Sequence, residues 1–247
     1  MGNERAGCRA FTVQLAIHPQ AQYRDRLLRE VTSWRPGSVL EIGCGSGVFL
    51  RSAAANGLNL HGIDPDTASV REIQGDGFVA QVGVAEALPF QAASFDLAVF
   101  SYTAHHIADW AAALAEALRV CRLGVVVLDP WYDDRIPSQA VARAFDRWCK
   151  RIDRSNGTVH NDCLDAAALL GVGALRRPDL SVKYEYMLVL SELGVSGLES
   201  AAAAKLAEAK EPERWRPELA NMVRSAHASG FSDDGAILLV ITKHGET

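Results

Sequence analysis

The chain has 247 residues, of which 49% are hydrophobic and 22% are charged, and its formal net charge is −5. No apolar stretch approaches the roughly 18 residues that a membrane span needs, and the excess of acidic residues argues against a nucleic-acid partner. The five cysteines are scattered without a Cys-x-x-Cys pair, which favours a reducing compartment, the cytoplasm, over a disulfide framework.

The first predicted elements are a helix and a buried strand. Residues 1–18 show no clear period, whereas apolar side chains recur at helical spacing over residues 20–34. An Arg-Pro-Gly sequence then ends the helix, and residues 38–42 read as a strand because they form a short apolar run. We expect residues 1–35 to form an N-terminal helical segment.

Three alternate glycines, Gly43, Gly45 and Gly47, follow this strand and precede a helix-compatible segment. Glycine leaves no side chain where a ligand must touch the backbone. The free amides and the dipole at the start of the helix favour an anionic group such as a carboxylate. A dinucleotide fingerprint would need a sixth-position glycine where this chain has Val48, so a nicotinamide cofactor is the less favoured alternative.

A second predicted strand, residues 60–64, ends in an acid. Asp64 lies close to the distance at which doubly wound folds place a ribose-binding acid, about 20 residues after the turn. A carboxylate there can accept hydrogen bonds from both ribose hydroxyls. The alternative is that Asp64 or Asp66 only caps the helix that begins near Thr67.

Residues 78–82 read as a third strand, and a loop and a fourth strand follow at residues 83–99. With the glycine turn, these residues resemble class I S-adenosylmethionine (SAM)-dependent methyltransferases, especially the small-molecule group akin to the ubiquinone/menaquinone C-methylating enzymes. In that group an acid that helps to hold adenine stands where this chain has Val84. The resemblance implies SAM as cofactor, S-adenosylhomocysteine as product, and the following cofactor-binding residues: Glu41, Gly43, Cys44, Gly45, Gly47, Asp64, Pro65, Ala85, Glu86 and Ser101.

The resemblance also implies the fold: an α/β, Rossmann-like, doubly wound sheet of seven mostly parallel strands with the last strand antiparallel. Strands that alternate with helices agree with this fold class. The resemblance covers residues 36–130 by motif and the remainder by expected topology. We expect one methyltransferase domain over residues 36–247, with helical lid or substrate insertions at about 131–178 and 191–235.

His105 and His106 follow the fourth strand, where the loop faces the ligand crevice of an open parallel sheet. If the methyl acceptor is a hydroxyl or a protonated amine, a base must remove its proton, and histidine suits this work near neutral pH. We therefore expect both to be catalytic, with Asp133 as a weaker candidate base. The alternative is that one of the pair turns away to pack or to cap.

Four other residues are predicted to contact the acceptor. Trp131 and Tyr132 follow the fifth strand, at residues 124–129, and could form an aromatic wall. Tyr23 on the first helix is a possible contact because that helix lies over the SAM site in similar enzymes, and His160 is a weaker candidate base. A half-buried structural role is the alternative for Tyr23, and the helical spacing of Trp148 predicts a core position.

Metal binding is the alternative use of the histidines. His105, His106, His160 and Cys163 are suitable ligand types, but the two groups are about fifty residues apart and match no strong zinc signature. We therefore predict no metal site.

The sequence thus predicts a cytoplasmic SAM-dependent methyltransferase, a monomer or homodimer, that acts on a small molecule, with oxygen as the first candidate acceptor atom and nitrogen or carbon as alternatives. Specialised metabolism is one setting for such an enzyme. Two other functions remain open. The fold could bind SAM and run a non-methylating reaction, or it could be a non-enzymatic SAM-binding protein.

Overall fold

The computed structural model describes residues 19–166, 168 and 177–244. Seven strands in these residues form one sheet. Their bounds are β1 Val39–Ile42, β2 Leu60–Asp64, β3 Val79–Val82, β4 Phe95–Ser101, β5 Cys121–Trp131, β6 Leu180–Met187 and β7 Gly235–Lys243. Residues 1–18 of the predicted N-terminal segment, and residues 167 and 169–176 of the first predicted insertion, lie outside the described part of the chain.

In the described residues, helices separate the strands up to β5, except that β4 follows β3 without a helix between them. Their bounds are α1 Pro19–Ser33, α2 Val48–Ala54, α3 Thr67–Gly75, α4 Trp110–Val120, α5 Pro137–Asn156, α6 Gly194–Glu208 and α7 Pro212–Ser229, and a 3₁₀ turn covers Ala104–His106. Among these helices, none combines the length and apolar composition that crossing a membrane requires.

The strand order is β3-β2-β1-β4-β5-β7-β6. The first five strands in chain order pair in parallel, whereas β7 runs antiparallel between β5 and β6. This sheet confirms the predicted fold class. All four residues of β1 are buried, as expected of a central parallel strand that is covered on both faces.

Helices cover both faces of the sheet. On one face, α1, α2 and α3 bury apolar residues such as Leu27, Leu50 and Ile73 against the strands. On the other face, α4 buries Leu114 and Leu118. A parallel sheet needs this double cover because its strands are apolar on both sides.

The three later helices form a core of their own. Helices α5, α6 and α7 pack through Trp148, Leu198 and Met222. Trp148 is fully buried, as its spacing predicts, and its indole N–H donates to the backbone oxygen of Trp215 at 3.2 Å. This core lies within the two predicted insertions, and its role as a lid stays a prediction.

Several boundaries differ from those expected. Strand β5 begins directly after α4 and pairs on both edges, so it is longer than the predicted residues 124–129. Strand β6 ends at Met187. Beyond it, the Val189 amide donates to the Tyr23 hydroxyl at 2.8 Å. Asn161 donates hydrogen bonds to the backbone oxygens of His105 and Ile107.

Candidate active site

A cavity of about 730 Å³ opens at the carboxyl ends of β1, β2 and β4, within the usual range of small-molecule sites, about 300–1,000 Å³. The strand order reverses beside β1, since β2 lies on one side of it and β4 on the other. Such a reversal creates the crevice in which open α/β sheets bind ligands. Topology therefore accounts for the position of the cavity.

The glycine turn forms one wall of this cavity. Gly43 and Gly45 adopt positive φ angles of 73° and 45°, a region that side chains with a Cβ avoid. The amides of Gly43 and Cys44 both donate to the Ile63 oxygen, at 2.8 and 3.1 Å, which ties the turn to β2. A Cβ on Gly43 would lie only 2.1 Å from Cγ2 of Thr103.

Gly43→Ala should therefore destabilise the protein more than a glycine substitution made elsewhere at the same φ. Gly57 is the matched control, because its φ is 75° and a Cβ there meets nothing within 4 Å. Both changes carry about 1–2 kcal/mol of left-handed strain, but only Gly43→Ala adds an overpacking cost of about 1–3 kcal/mol. Urea unfolding of both variants measures the difference.

The double variant Gly43→Ala/Thr103→Ser should recover part of the lost free energy of unfolding, since serine lacks the clashing methyl group but keeps a hydroxyl. The wild-type Thr103 hydroxyl donates to the Gly43 oxygen at 3.0 Å. Equal losses at positions 43 and 57 would show that the close approach to Thr103 does not matter.

Asp64 joins the turn to the end of β2. One carboxylate oxygen accepts from the Gly45 amide at 2.8 Å, and the other accepts from the Asp66 amide at 2.9 Å. The helix cap is Asp66, which accepts from the amides of Ala68 and Ser69. Asp64 lines the cavity and keeps further lone pairs for a ligand, because a carboxylate has about four acceptor positions. The capping alternative thus applies to Asp66.

Glu41 brings a buried carboxyl group to the cavity wall. The residue is 2% exposed, and its Oε2 has no hydrogen-bond partner among the described residues. Burial raises the pKa of Glu41 well above its ordinary value, although a hydrogen bond from the Leu50 amide opposes this effect. An unpartnered buried oxygen at a cavity wall is suited to a ligand that donates a hydrogen bond.

Glu41→Gln should stabilise the ligand-free protein and weaken SAM binding about tenfold, a typical cost of losing a charged hydrogen bond. With a raised pKa in the folded state, the carboxyl favours folding most below its ordinary value of 4.5, and this contribution is lost as pH rises through the raised pKa. Glutamine does not ionise, so the variant does not lose stability in this way as pH rises. Its Tm should therefore exceed that of the wild type at neutral pH but not in acid. Exposed Glu199 on α6 is the control. A lower Tm for Glu41→Gln at neutral pH would contradict this account.

The predicted adenine region also lines the cavity, with Val84, Ala85, Glu86 and Ser101 among the wall residues. Glu86 already accepts a hydrogen bond from the Asp109 amide at 3.2 Å. Val84 is 46% exposed and provides only apolar surface where similar enzymes have an acid. Hydrogen bonds to a base in this region would therefore come mainly from backbone groups.

The cavity is acidic. Its lining contains four carboxylates, from Glu41, Asp64, Asp66 and Glu86, and the guanidinium of Arg24. The Arg24 guanidinium lies over the ring of Tyr102, 4.9 Å from its centre. Walls of one dominant sign concentrate ligands of the opposite sign, so this cavity favours a cation over a pyrophosphate.

His106 also lines the cavity, whereas His105 lies behind it and is 6% exposed. Nδ1 of His105 is 2.8 Å from a carboxylate oxygen of Asp129, a fully buried residue at the end of β5. The pKa of His106 is lowered to about 4, first by removal from water and then by the neighbouring His105 and His160 rings. The predicted pair therefore has two different environments.

Of the predicted cofactor residues, Gly47 does not line the cavity. It caps α2 at a φ of 75°, and a Cβ there would face Ile73. The other nine line it: Glu41, Gly43, Cys44, Gly45, Asp64, Pro65, Ala85, Glu86 and Ser101. Burial raises the pKa of Cys44 to about 12, so its thiol stays protonated at neutral pH, as expected of a residue that is not a nucleophile.

The four predicted acceptor contacts do not line this cavity. Tyr23 is buried under α1, where its hydroxyl meets Val189 and the backbone oxygen of Asp234, and its neighbour Arg24 reaches the cavity instead. Trp131 stacks on Tyr186, and Trp131 and Tyr132 border a separate small hollow. His160 stacks against the other two histidines, beside the lining residue Val159.

The wall residues that sequence reasoning missed include Arg24, Tyr102 and Thr103. Tyr102 has a positive φ of 57°, and its phenolic oxygen is buried without a partner among the described residues. One feature of the sequence could have indicated Thr103: it is a small hydroxyl residue two positions before His105. No sequence feature indicated Arg24 beyond its position in an amphipathic helix.

The sequence of this chain is similar to a known domain family and to known proteins. A methyltransferase domain family matches residues 40–128. A protein of transposon Tn4556 from Streptomyces fradiae is 28% identical over 85% of this chain and 66% of its own length. Demethylmenaquinone methyltransferase of Roseiflexus castenholzii is 34% identical over 49% of this chain and 47% of its own length.

Solved structures agree on the fold. The YcgJ protein of Bacillus subtilis superposes with a TM-score of 0.66 at 17% identity, over 92% of this chain and 100% of that protein. The chain spans about half to two thirds of the length of the two curated relatives. The matched domain contains the glycine turn, Asp64 and both histidines of the pair. Residues 40–128 therefore match a methyltransferase domain family, on a sheet that has the fold of such solved structures.

Proposed function

We propose that this chain binds SAM in the 730 Å³ cavity and transfers its methyl group to a small-molecule acceptor, with oxygen as the first candidate atom. One observation carries the proposal: the glycine turn, Asp64 and His106 line the same acid-rich cavity. The relative named demethylmenaquinone methyltransferase supports methyl transfer as the reaction class.

The wall residues fit the cofactor. The unpartnered Oε2 of Glu41 suits an ammonium group, and the turn at Gly43 and Gly45 leaves room for close backbone contact. Asp64 suits a pair of ribose hydroxyls, and backbone groups near Ala85 suit adenine. SAM carries an ammonium and a sulfonium, so the four carboxylates of the wall favour it over the anionic NADH.

When bound, SAM supplies an electrophilic methyl group on a positively charged sulfur. The chain then has to hold an acceptor in line with that methyl group, at about 3 Å, and to exclude water. Ile107, Ala108 and Val159 provide apolar wall beside His106. Nδ1 of His106 lies 3.4 Å from the Val159 carbonyl oxygen, which can only accept, so the proton is on Nδ1 and Nε2 has a free lone pair. That lone pair can take a hydrogen bond from an acceptor hydroxyl.

Calorimetric titration with SAM, S-adenosylhomocysteine and NADH tests the cofactor. We expect micromolar binding of the first two and no binding of NADH. Tight NADH binding, or no binding of either sulfur compound, would overturn the proposal.

Product mass then tests the reaction. In a screen of small hydroxyl, amine and activated-carbon compounds, we expect a product one methyl group heavier and release of S-adenosylhomocysteine. A changed product with SAM left intact would instead indicate a non-methylating reaction. SAM binding without turnover of any compound would favour a binding protein.

The proposed setting is the cytoplasm. The four described cysteines, Cys44, Cys121, Cys149 and Cys163, are all free thiols, which agrees with a reducing compartment. The acidic cavity also disfavours nucleic acid as the acceptor. Gel filtration of the purified chain distinguishes the predicted monomer from the homodimer.

A further inference from the structure

Three histidines from two distant parts of the chain form one cluster. His105 and His106 belong to the 3₁₀ turn after β4, and His160 follows α5. One ring nitrogen of each lies within 4.8 Å of one ring nitrogen of both others. The ring centres are 4.2, 4.3 and 5.2 Å apart. Three imidazoles at this spacing are a recognised ligand set for a transition metal.

Each histidine has an acceptor behind it. Nδ1 of His105 is 2.8 Å from an Asp129 carboxylate oxygen, Nδ1 of His160 is 2.7 Å from an Asp153 carboxylate oxygen, and Nδ1 of His106 is 3.4 Å from the Val159 carbonyl oxygen. None of these acceptors can donate, so each Nδ1 carries the proton. The free lone pair of every ring is therefore on Nε2.

This pattern is typical of metal sites. A ligating histidine usually donates its other ring N–H to a carboxylate or a backbone carbonyl, which fixes the tautomer and the ring orientation. Here all three rings have such a partner. A chance stack of histidines on a surface would not need three matched acceptors, two of them carboxylates.

The backbone holds the two parts of the cluster together. The Asn161 amide donates to the His105 oxygen at 2.7 Å, and its side chain donates to the Ile107 oxygen at 2.7 Å. Arg154 donates to the His160 oxygen. Asn161 thus joins the segment after α5 directly to the turn that bears the histidine pair.

Charges around the cluster also suit a bound cation. Asp129 is fully buried, and its second oxygen, Oδ2, has no partner among the described residues. Asp153 accepts from Lys205 as well as from His160. The buried cation Lys150 is paired with Asp146 at 2.9 Å and contacts Cys163.

We propose that His105, His106 and His160 bind one divalent transition-metal ion through Nε2, with Zn²⁺ as the best match. Zinc bonds to nitrogen at about 2.0–2.1 Å, which places three tetrahedral ligands about 3.4 Å apart. One nitrogen of each ring now lies within 4.8 Å of a nitrogen of each other ring, so the ligand nitrogens would have to approach one another by up to about 1.4 Å around the ion. Three protein ligands leave a fourth position open, as in catalytic rather than structural zinc sites. This inference revises the prediction of no metal.

The open position gives the ion a use. His106 lines the cofactor cavity, so the fourth position faces the space in which an acceptor would lie. A metal ion lowers the pKa of a bound hydroxyl. The acceptor oxygen would then bond to the ion, in place of the hydrogen bond to Nε2 of His106, while its proton leaves to water. This role rests on the proposed methyl transfer, whereas the site itself does not.

The test is a titration of chelator-stripped protein with Co²⁺, followed by displacement with Zn²⁺. We expect one equivalent of Co²⁺ with the visible absorption of a tetrahedral site, and loss of that absorption when zinc is added. His160→Ala should weaken Co²⁺ binding at least a hundredfold. Asp129→Asn, which removes an acceptor behind a ligand, should weaken it roughly ten- to a hundredfold.

Two controls keep the result clear. His227→Ala removes an exposed histidine of α7 and should bind Co²⁺ like the wild type. His160→Gln, with circular dichroism, replaces His160→Ala if the alanine variant does not fold. Absence of a tetrahedral Co²⁺ signal in the wild type, or equal signals in the wild type and the folded His160 variant, would overturn the proposal.

A SAM titration of the metal-free protein separates this inference from the proposed function. We expect SAM to bind with or without metal, because none of the three clustered histidines belongs to the glycine turn or to the Asp64 region. SAM binding without a Co²⁺ site would reject the metal alone. A Co²⁺ site that is lost in His160→Ala, in a protein that does not bind SAM, would support the metal and reject the proposed function.

Discussion

Removal of either histidine of the pair is expected to lower turnover by about a hundredfold or more and to leave SAM affinity nearly unchanged. His106 lines the cavity, and His105 stands behind it, 2.8 Å from Asp129. Neither belongs to the cofactor wall around the turn. Alanine variants at positions 105 and 106 should therefore differ from the wild type in kcat for the acceptor found by product mass, while calorimetry with SAM gives similar affinities.

The structure also predicts how the losses combine. His105 acts on the acceptor through the neighbouring ring or the shared metal, so the double variant should be little worse than His106→Ala, because residues that act as a unit are strongly non-additive. Asp129→Asn should resemble His105→Ala, since an asparagine amide can offer a donor to Nδ1 and reverse the tautomer. His227→Ala is the control with full activity expected. Full activity in both single variants would reject any catalytic role for the pair.

Asp64→Ala is expected to weaken SAM binding by between tenfold and about a hundredfold, because it removes a charged hydrogen-bond acceptor. The wild-type carboxylate already holds the Gly45 and Asp66 amides. The change would thus loosen the turn as well as remove the predicted ribose contact. Calorimetric titration with SAM measures the loss.

Asp66→Ala provides the matched control for this prediction. Asp66 lines the same cavity but caps α3 through Ala68 and Ser69. Its removal should lower stability, as the loss of a helix cap does, with little effect on SAM affinity. Near-normal SAM binding by Asp64→Ala, or equal weakening by both variants, would remove the ribose assignment.

The sequence predicted most of the sheet and many residues of the cavity wall because these features are encoded in short contiguous stretches. An apolar run followed by alternate glycines determines β1 and the turn, and Asp64 ends the next strand. Parallel topology then brings the two strand ends to one edge. The antiparallel direction of the last strand, β7, came from the resemblance.

Features made by long-range docking could not be predicted. His160 reaches His105 and His106 only because Asn161 bonds to the backbone of the 3₁₀ turn, a contact with no sequence pattern. Tyr23 and Arg24 are neighbours in a helix, and adjacent positions lie about 100° apart around its axis. The apolar stripe of the helix was as consistent with a buried Tyr23 as with a Tyr23 that contacts the acceptor. In the structure Tyr23 is buried, and Arg24 lines the cavity.

The position of β7 has a consequence for how the chain assembles. Strand β6 is the outermost strand and pairs in the sheet with β7, which the ribosome makes roughly fifty residues later. All residues that line the cavity precede β6 in the chain, so the binding wall is synthesised first. Until β7 emerges, β5 keeps an unpaired edge, and such an edge can template wrong pairing between nascent chains. Because the antiparallel strand β7 is synthesised late, protection of the β5 edge by a chaperone is most valuable near the end of translation.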